Sequence, residues 1–108
     1  MKRDISLLLK DILDCMNKID EFVGKMSFDN FVNDEKTSSA VMRKLEIIGE
    51  AVKNIPEDII EKYTQVPWSD MARMRDKIIH FYHGVDYEVI WKVIKNRLPE
   101  IKPHILKW

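Results

Sequence analysis

Between Ile5 and Val23 the apolar residues Ile5, Leu8, Leu9, Ile12, Met16, Ile19 and Val23 recur at three- and four-residue spacing. That rhythm puts them on one face of a helix, and a helix with one apolar face must bury it against a neighbour. The rhythm returns in Val41, Leu45, Ile48 and Val52, in Met71, Met74 and Ile78, and in Ile90, Val93, Ile94 and Leu98. Nothing alternates with period two over a useful length, so no strand is expected. The spacing predicts an all-α fold: four main helices plus short ones, antiparallel, with short connections, in one domain over residues 1–108.

Local signals suggest the boundaries. The first helix should run over residues 2–24 and stop at Gly24. Ser27 should cap a short turn through Phe28 and Phe31. The second main helix is expected from Thr37 to Asn54. Gly49 interrupts it at a cost of about 1 kcal/mol relative to Ala, which close approach of another helix would justify. Pro56 fits the first position of a short helix to Tyr63, followed by a loop from Thr64 to Trp68. Ser69 should cap the next helix, with Asp70 in its first turn and Gly84 as its stop. Asp86 should cap a last helix from Tyr87 to about Leu98, beyond which Pro99 and Pro103 should break up the tail.

The 18 basic and 18 acidic residues cancel to a formal net charge of +0. A nucleic-acid site on such a chain has to be a local patch. The single cysteine, Cys15, excludes an intrachain disulfide, fits a reducing cytoplasmic setting, and is expected in the core. The run Ile5-Ser6-Leu7-Leu8-Leu9 is too short for a secretory signal, and no stretch approaches the roughly 20 apolar residues of a membrane span.

The chemistry concentrates between Asp70 and His83, in D-M-A-R-M-R-D-K-I-I-H-F-Y-H. Arg73, Arg75 and Lys77 form a local basic cluster, and His80, Tyr82 and His83 follow closely. Cutting RNA through its own 2′-hydroxyl needs a base, an acid and a cation for the charge on the phosphate. Histidine, with a pKa of about 6.5, suits proton transfer. Arginine stays charged and can bond two phosphate oxygens. That reaction requires neither metal nor cofactor.

Spacing limits this reading. At about 100° per residue Arg75 and Tyr82 share a helical face, but Arg75 and His80 stand about 140° apart. Long Arg reach, a distorted helix end near Gly84 or a second subunit would close the gap. An Arg followed by a His after five positions is also common by chance, and His80 between Ile79 and Phe81 fits a half-buried histidine with a backbone partner. His80 and His83 suit one metal edge, but no third ligand is evident nearby, so no metal site is expected. Gly49 reads as a packing residue. Glu50 fits equally a partner that orients Arg75 and a surface carboxylate. Trp68 and Trp91 read as packing anchors, and His104 as solvated.

The pattern R-x4-H-x-Y at Arg75, His80 and Tyr82 resembles the HepT-type toxins of the HEPN superfamily. Ile48-Gly49-Glu50-Ala51 is similar to a segment on that family's second helix, and Trp68 to a tryptophan that precedes the motif. Val85-Asp86-Tyr87-Glu88-Val89-Ile90-Trp91 resembles the sequence that follows it. The likeness covers nearly the whole chain in order. One departure is Asp76, where many members carry Asn; its charge would lower the local positive potential.

The resemblance implies a HEPN-type helical bundle that dimerises, so that the motif residues of two chains line one cleft. It implies a metal-independent ribonuclease toxin paired with an MNT-type nucleotidyltransferase antitoxin, which transfers AMP to the motif tyrosine, here Tyr82. Arg75 would then bind the phosphate and His80 would be the general acid or base. Asp76, Glu50, Arg73 and Lys77 would be supporting residues, and RNA the substrate. The rival reading is a non-catalytic subunit that binds a nucleotide or a nucleotidyltransferase partner. Growth arrest on expressing this chain alone fits only the ribonuclease.

Overall fold

Side-chain caps fix where several helices begin. The computed structural model describes residues 4–79, 84 and 86–106. Helix α1 is Ile5–Val23, and the Asp4 carboxylate accepts the Ser6 N–H at 2.7 Å and the Ser6 hydroxyl at 2.6 Å. It ends at Gly24, whose φ of 52° suits a residue without a Cβ. Ser27 caps the short helix α2, Phe28–Asn33, by accepting the Asn30 N–H at 3.1 Å. Helix α3, Glu35–Lys53, starts earlier than its apolar stripe suggests, because the Asp34 carboxylate accepts the Thr37 N–H at 2.9 Å. These hydrogen bonds, to Ser6 at one cap and Thr37 at the other, hold the Asp4 and Asp34 carboxyls below the ordinary carboxylate value.

Helix α4 is Glu57–Lys62, with Pro56 as its cap residue rather than its first helical position. Helix α5, Trp68–Ile79, departs from expectation at its start: Ser69 lies inside it and does not cap it. Burial of Trp68 decides this. Its indole Nε1 donates to the Tyr63 carbonyl at 3.0 Å, which ties the first residue of the helix to the preceding loop.

Asp86 caps α6, Tyr87–Lys92, by accepting the Val89 N–H at 3.2 Å. The chain then continues through a π-helical turn, Val93–Arg97, into α7, Leu98–Leu106. The expected break at Pro99 and Pro103 does not occur. In the π turn the Leu98 N–H reaches back to the Val93 carbonyl. This wider winding stands immediately before Pro99, where an α turn would demand a donor that proline lacks and would press its ring on a carbonyl. Burial of Leu98, Ile101 and Ile105 then holds α7 against the core despite Pro103.

Among the described residues every regular element is helical, as expected, and the helices build the bundle of the HEPN type. Helix α3 occupies its centre, packed by α1 on one side and α5 on another, while α7 returns onto α1. Ile12, Ile19, Phe31, Val41, Leu45 and Ile48 are fully buried between them. Phe31 meets Trp91 with ring centroids 5.2 Å apart and Tyr87 at 6.3 Å, which pins α2 to α6. Cys15 is buried, and burial pushes its thiol pKa up, as befits a packing residue. Among the described residues no helix is long and apolar enough to cross a membrane.

Candidate active site

Arg75 owes its position to Gly49. Met71 and Arg75, one turn apart, face α3 where Gly49 opens a gap in its side-chain surface. A Cβ at Gly49 would lie 2.1 Å from the Arg75 Cβ and 3.2 Å from the Met71 carbonyl oxygen. Only a glycine lets α5 come this close, and the Arg75 stem runs directly across it. Gly49 is therefore the packing residue expected from the sequence.

The guanidinium beyond that stem is oriented but barely partnered. The Arg75 side chain is 28% exposed, and its Nε is buried without a hydrogen-bond partner among the described residues. Leaving such a donor unpaired costs about 1–3 kcal/mol, an outlay common at functional sites. Its one acceptor among the described residues is Asp76 Oδ1, 3.5 Å from Nη1, at the outer limit of a hydrogen bond. That same oxygen accepts from Lys53 Nζ at 2.6 Å across the α3–α5 seam. The Lys53 hydrogen bond, reinforced by the Lys53 and Arg75 charges, holds the Asp76 carboxyl below the ordinary carboxylate range. The carboxylate is thus ionised at neutral pH and committed mainly to Lys53.

The expected basic cluster divides. Arg73 and Lys77 lie on the opposite side of α5 from Arg75, since alternate residues stand about 200° apart on a helix. With Leu45, Asp70, Met74, Val89, Ile90 and Val93 they line a separate cavity of about 400 Å³. There the Asp70 carboxylate accepts from Arg73 and, at 2.7 Å, from Arg97 of the π turn. These contacts, the Arg73 hydrogen bond foremost, also lower the Asp70 pKa.

Glu50 does not reach Arg75. It is exposed and makes no ion pair among the described residues, and its carbonyl accepts from Asn54 Nδ2 at 2.9 Å. Asp76 and Lys53 stand where Glu50 was one of two expectations. Sequence reasoning missed Lys53, although a signal existed: it follows Gly49 by four residues and so shares the face on which Arg75 lies. Trp68 is buried, and Trp91 packs on Phe28 with centroids 5.8 Å apart, as expected of anchors. His104 is exposed. His80, Tyr82 and the His80–His83 pair lie outside the described residues; Gly84, just beyond, has a φ of 119°. Among the described residues no three His, Cys, Asp or Glu side chains gather to hold a metal.

The seam between α3 and α5 thus presents one preset cation, Arg75, on the helix whose sequence continues into His80 and Tyr82. The family model described as Ribonuclease HepT-like matches residues 12–107. A protein of Methanocaldococcus jannaschii named "Putative RNase" is 55% identical over 91% of this chain and 81% of its own length. One of Thermococcus cleftensis named "Probable ribonuclease HepT" is 49% identical over 94% of this chain and 93% of its own. A bacterial "Putative RNase", from Caldanaerobacter subterraneus, is 45% identical over 90% of this chain and 87% of its own. No solved structure matches the chain.

Proposed function

The chain belongs to the HepT-like ribonuclease family, and from that premise we propose that it is a metal-independent endoribonuclease, the toxin of a pair with an MNT-type nucleotidyltransferase. The observation that supports this most is the Arg75 guanidinium, fixed in place by Gly49 yet left with one marginal acceptor among the described residues. A cation oriented in advance and not neutralised suits the charge that builds on a phosphate during cleavage.

In this reading a base removes the proton of a ribose 2′-hydroxyl, and the oxygen attacks the adjacent phosphorus. The bond to the 5′-oxygen breaks, and an acid returns a proton to that leaving oxygen. The products are a 2′,3′-cyclic phosphate and a 5′-hydroxyl. His80 serves as acid or base, and Arg75 bonds the non-bridging oxygens. Purified protein should cut RNA in the presence of a chelator. Cleavage that stops with chelation and resumes with added metal would overturn the mechanism.

The protein works as a homodimer in this proposal, since one straight helix would hold Arg75 and His80 about 140° apart and a second copy would supply the missing side of the cleft. Light scattering at micromolar concentration should give twice the chain mass of 12.9 kDa. A monomeric mass under conditions of activity would refute the shared cleft.

Control runs through Tyr82. Its hydroxyl oxygen attacks the α-phosphorus of ATP on the partner enzyme; a tyrosyl-AMP bond forms, pyrophosphate leaves, and the phenolic proton is released. Tyr82 lies seven residues beyond Arg75, a spacing that would put both on one face of a continuing helix, so that the added phosphate would occupy the anion place and repel RNA. After co-expression, mass spectrometry should find AMP on the Tyr82 peptide, and Tyr82→Phe should remain unmodified. Equal neutralisation of the Phe variant would mean that inhibition runs through complex formation alone.

A further inference from the structure

Asp76 poses a problem for any phosphate site built on Arg75. It is the next residue in the chain, carries a negative charge, and lies within reach of the guanidinium. Left to itself, a carboxylate beside an arginine closes a tight ion pair and cancels the cation. The structure shows a different distribution. Asp76 Oδ1 sits 2.6 Å from Lys53 Nζ and 3.5 Å from Arg75 Nη1. Lys53 reaches it from α3, one turn beyond the glycine that seats the Arg75 stem. Lys53 and Asp76 are both about half exposed, at 41% and 49%, so the pair is built across the mouth of the seam rather than in the core.

We propose that Lys53 is a positioning residue that holds the Asp76 carboxylate off Arg75, keeping the guanidinium free for an RNA phosphate. The inference rests on the ribonuclease reading of the Arg75 site and adds a residue to it. Lys53 need not touch RNA. It acts by supplying Asp76 with a better partner, so that one positive charge remains unspent at the site. The Arg75 Nε, buried without an acceptor among the described residues, agrees with this: the Asp76 carboxylate has not folded back to claim it.

The arrangement makes a signed, non-additive forecast. Lys53→Met keeps an unbranched side chain only one atom shorter and removes its charge, so Asp76 swings to Arg75. The kcat/KM for an RNA oligonucleotide should fall about tenfold, whereas in the Asp76→Asn background the same substitution should change it by less than about twofold. Nitrogen-15 NMR of the full chain reads the same event without turnover. The Arg75 Nε–H signal should move in Lys53→Met and return toward its Asp76→Asn position in the double variant. An equal loss of cleavage in both backgrounds would show that Lys53 contacts RNA itself and would overturn the proposal. So would an unchanged rate, or an Arg75 signal indifferent to Lys53. Should the unmodified protein cut no RNA at all, the ribonuclease reading fails, while the NMR pair still decides whether Lys53 restrains Asp76.

Discussion

Arg75→Ala should lower RNA cleavage by roughly 10²–10³-fold while leaving the circular dichroism of the bundle unchanged. Removing one preorganised donor to transition-state charge typically costs that much. The fold should survive because, among the described residues, the guanidinium forms no strong contact to lose: its Nε has no partner there and its Asp76 contact is marginal. Arg75→Lys separates charge from shape, since an ammonium keeps the former but cannot fork onto two oxygens. It should recover only part of the loss. His80→Ala should cost about 10²–10⁴-fold, the usual range for general acid–base catalysis. Cleavage that persists in both alanine variants would remove these residues from the chemistry.

The second large effect is expected at Gly49. In a solvent-facing turn, Gly→Ala would stabilise a helix by about 1 kcal/mol. Here the new Cβ would meet the Arg75 Cβ at 2.1 Å and the Met71 carbonyl at 3.2 Å. The nearest atom is the root of a side chain, not its flexible end, so no rotamer change relieves the clash and α3 and α5 must part. Overpacking of this kind costs about 1–3 kcal/mol, which outweighs the propensity gain. Gly49→Ala should therefore lower Tm by several degrees, at about 4–8 °C per kcal/mol for a small domain. It should also depress cleavage far more than the stability loss explains, because a displacement of about 1 Å at a positioning group can cost 10²-fold. A rise in Tm would mean that the helices are not in close contact at this position.

These two sites show how much the sequence disclosed. The apolar rhythm gave the helices and the central glycine, because burial on one face and the absence of a Cβ are both written residue by residue. It misjudged the tail, since a π turn ahead of Pro99 depends on how the whole segment packs, and proline alone argues for a break. It misplaced the start of α5, where a buried indole outweighed the capping preference of Ser69. Arg73, Arg75 and Lys77 looked like one patch because linear proximity does not reveal helical phase. Lys53 stayed hidden for the opposite reason: it meets Asp76 across 23 positions of chain. The sequence fits Glu50 equally to a partner of Arg75 and to a surface carboxylate, and the distances put Asp76 at the guanidinium instead.

The division of those cations bears on how the protein encounters its substrate. Arg73 and Arg97 share Asp70, Lys53 holds Asp76, and the whole chain sums to zero. Beyond the screening length of about 8 Å at physiological salt, the surface presents RNA with little net attraction. Long-range steering of a polyanion is expected to be weak, and nonspecific adhesion to bulk RNA should be correspondingly weak and shallow in its salt dependence. If RNA is the substrate, capture would be left to segments that collide and already fit the proposed site, and selectivity would operate at the moment of docking rather than during approach.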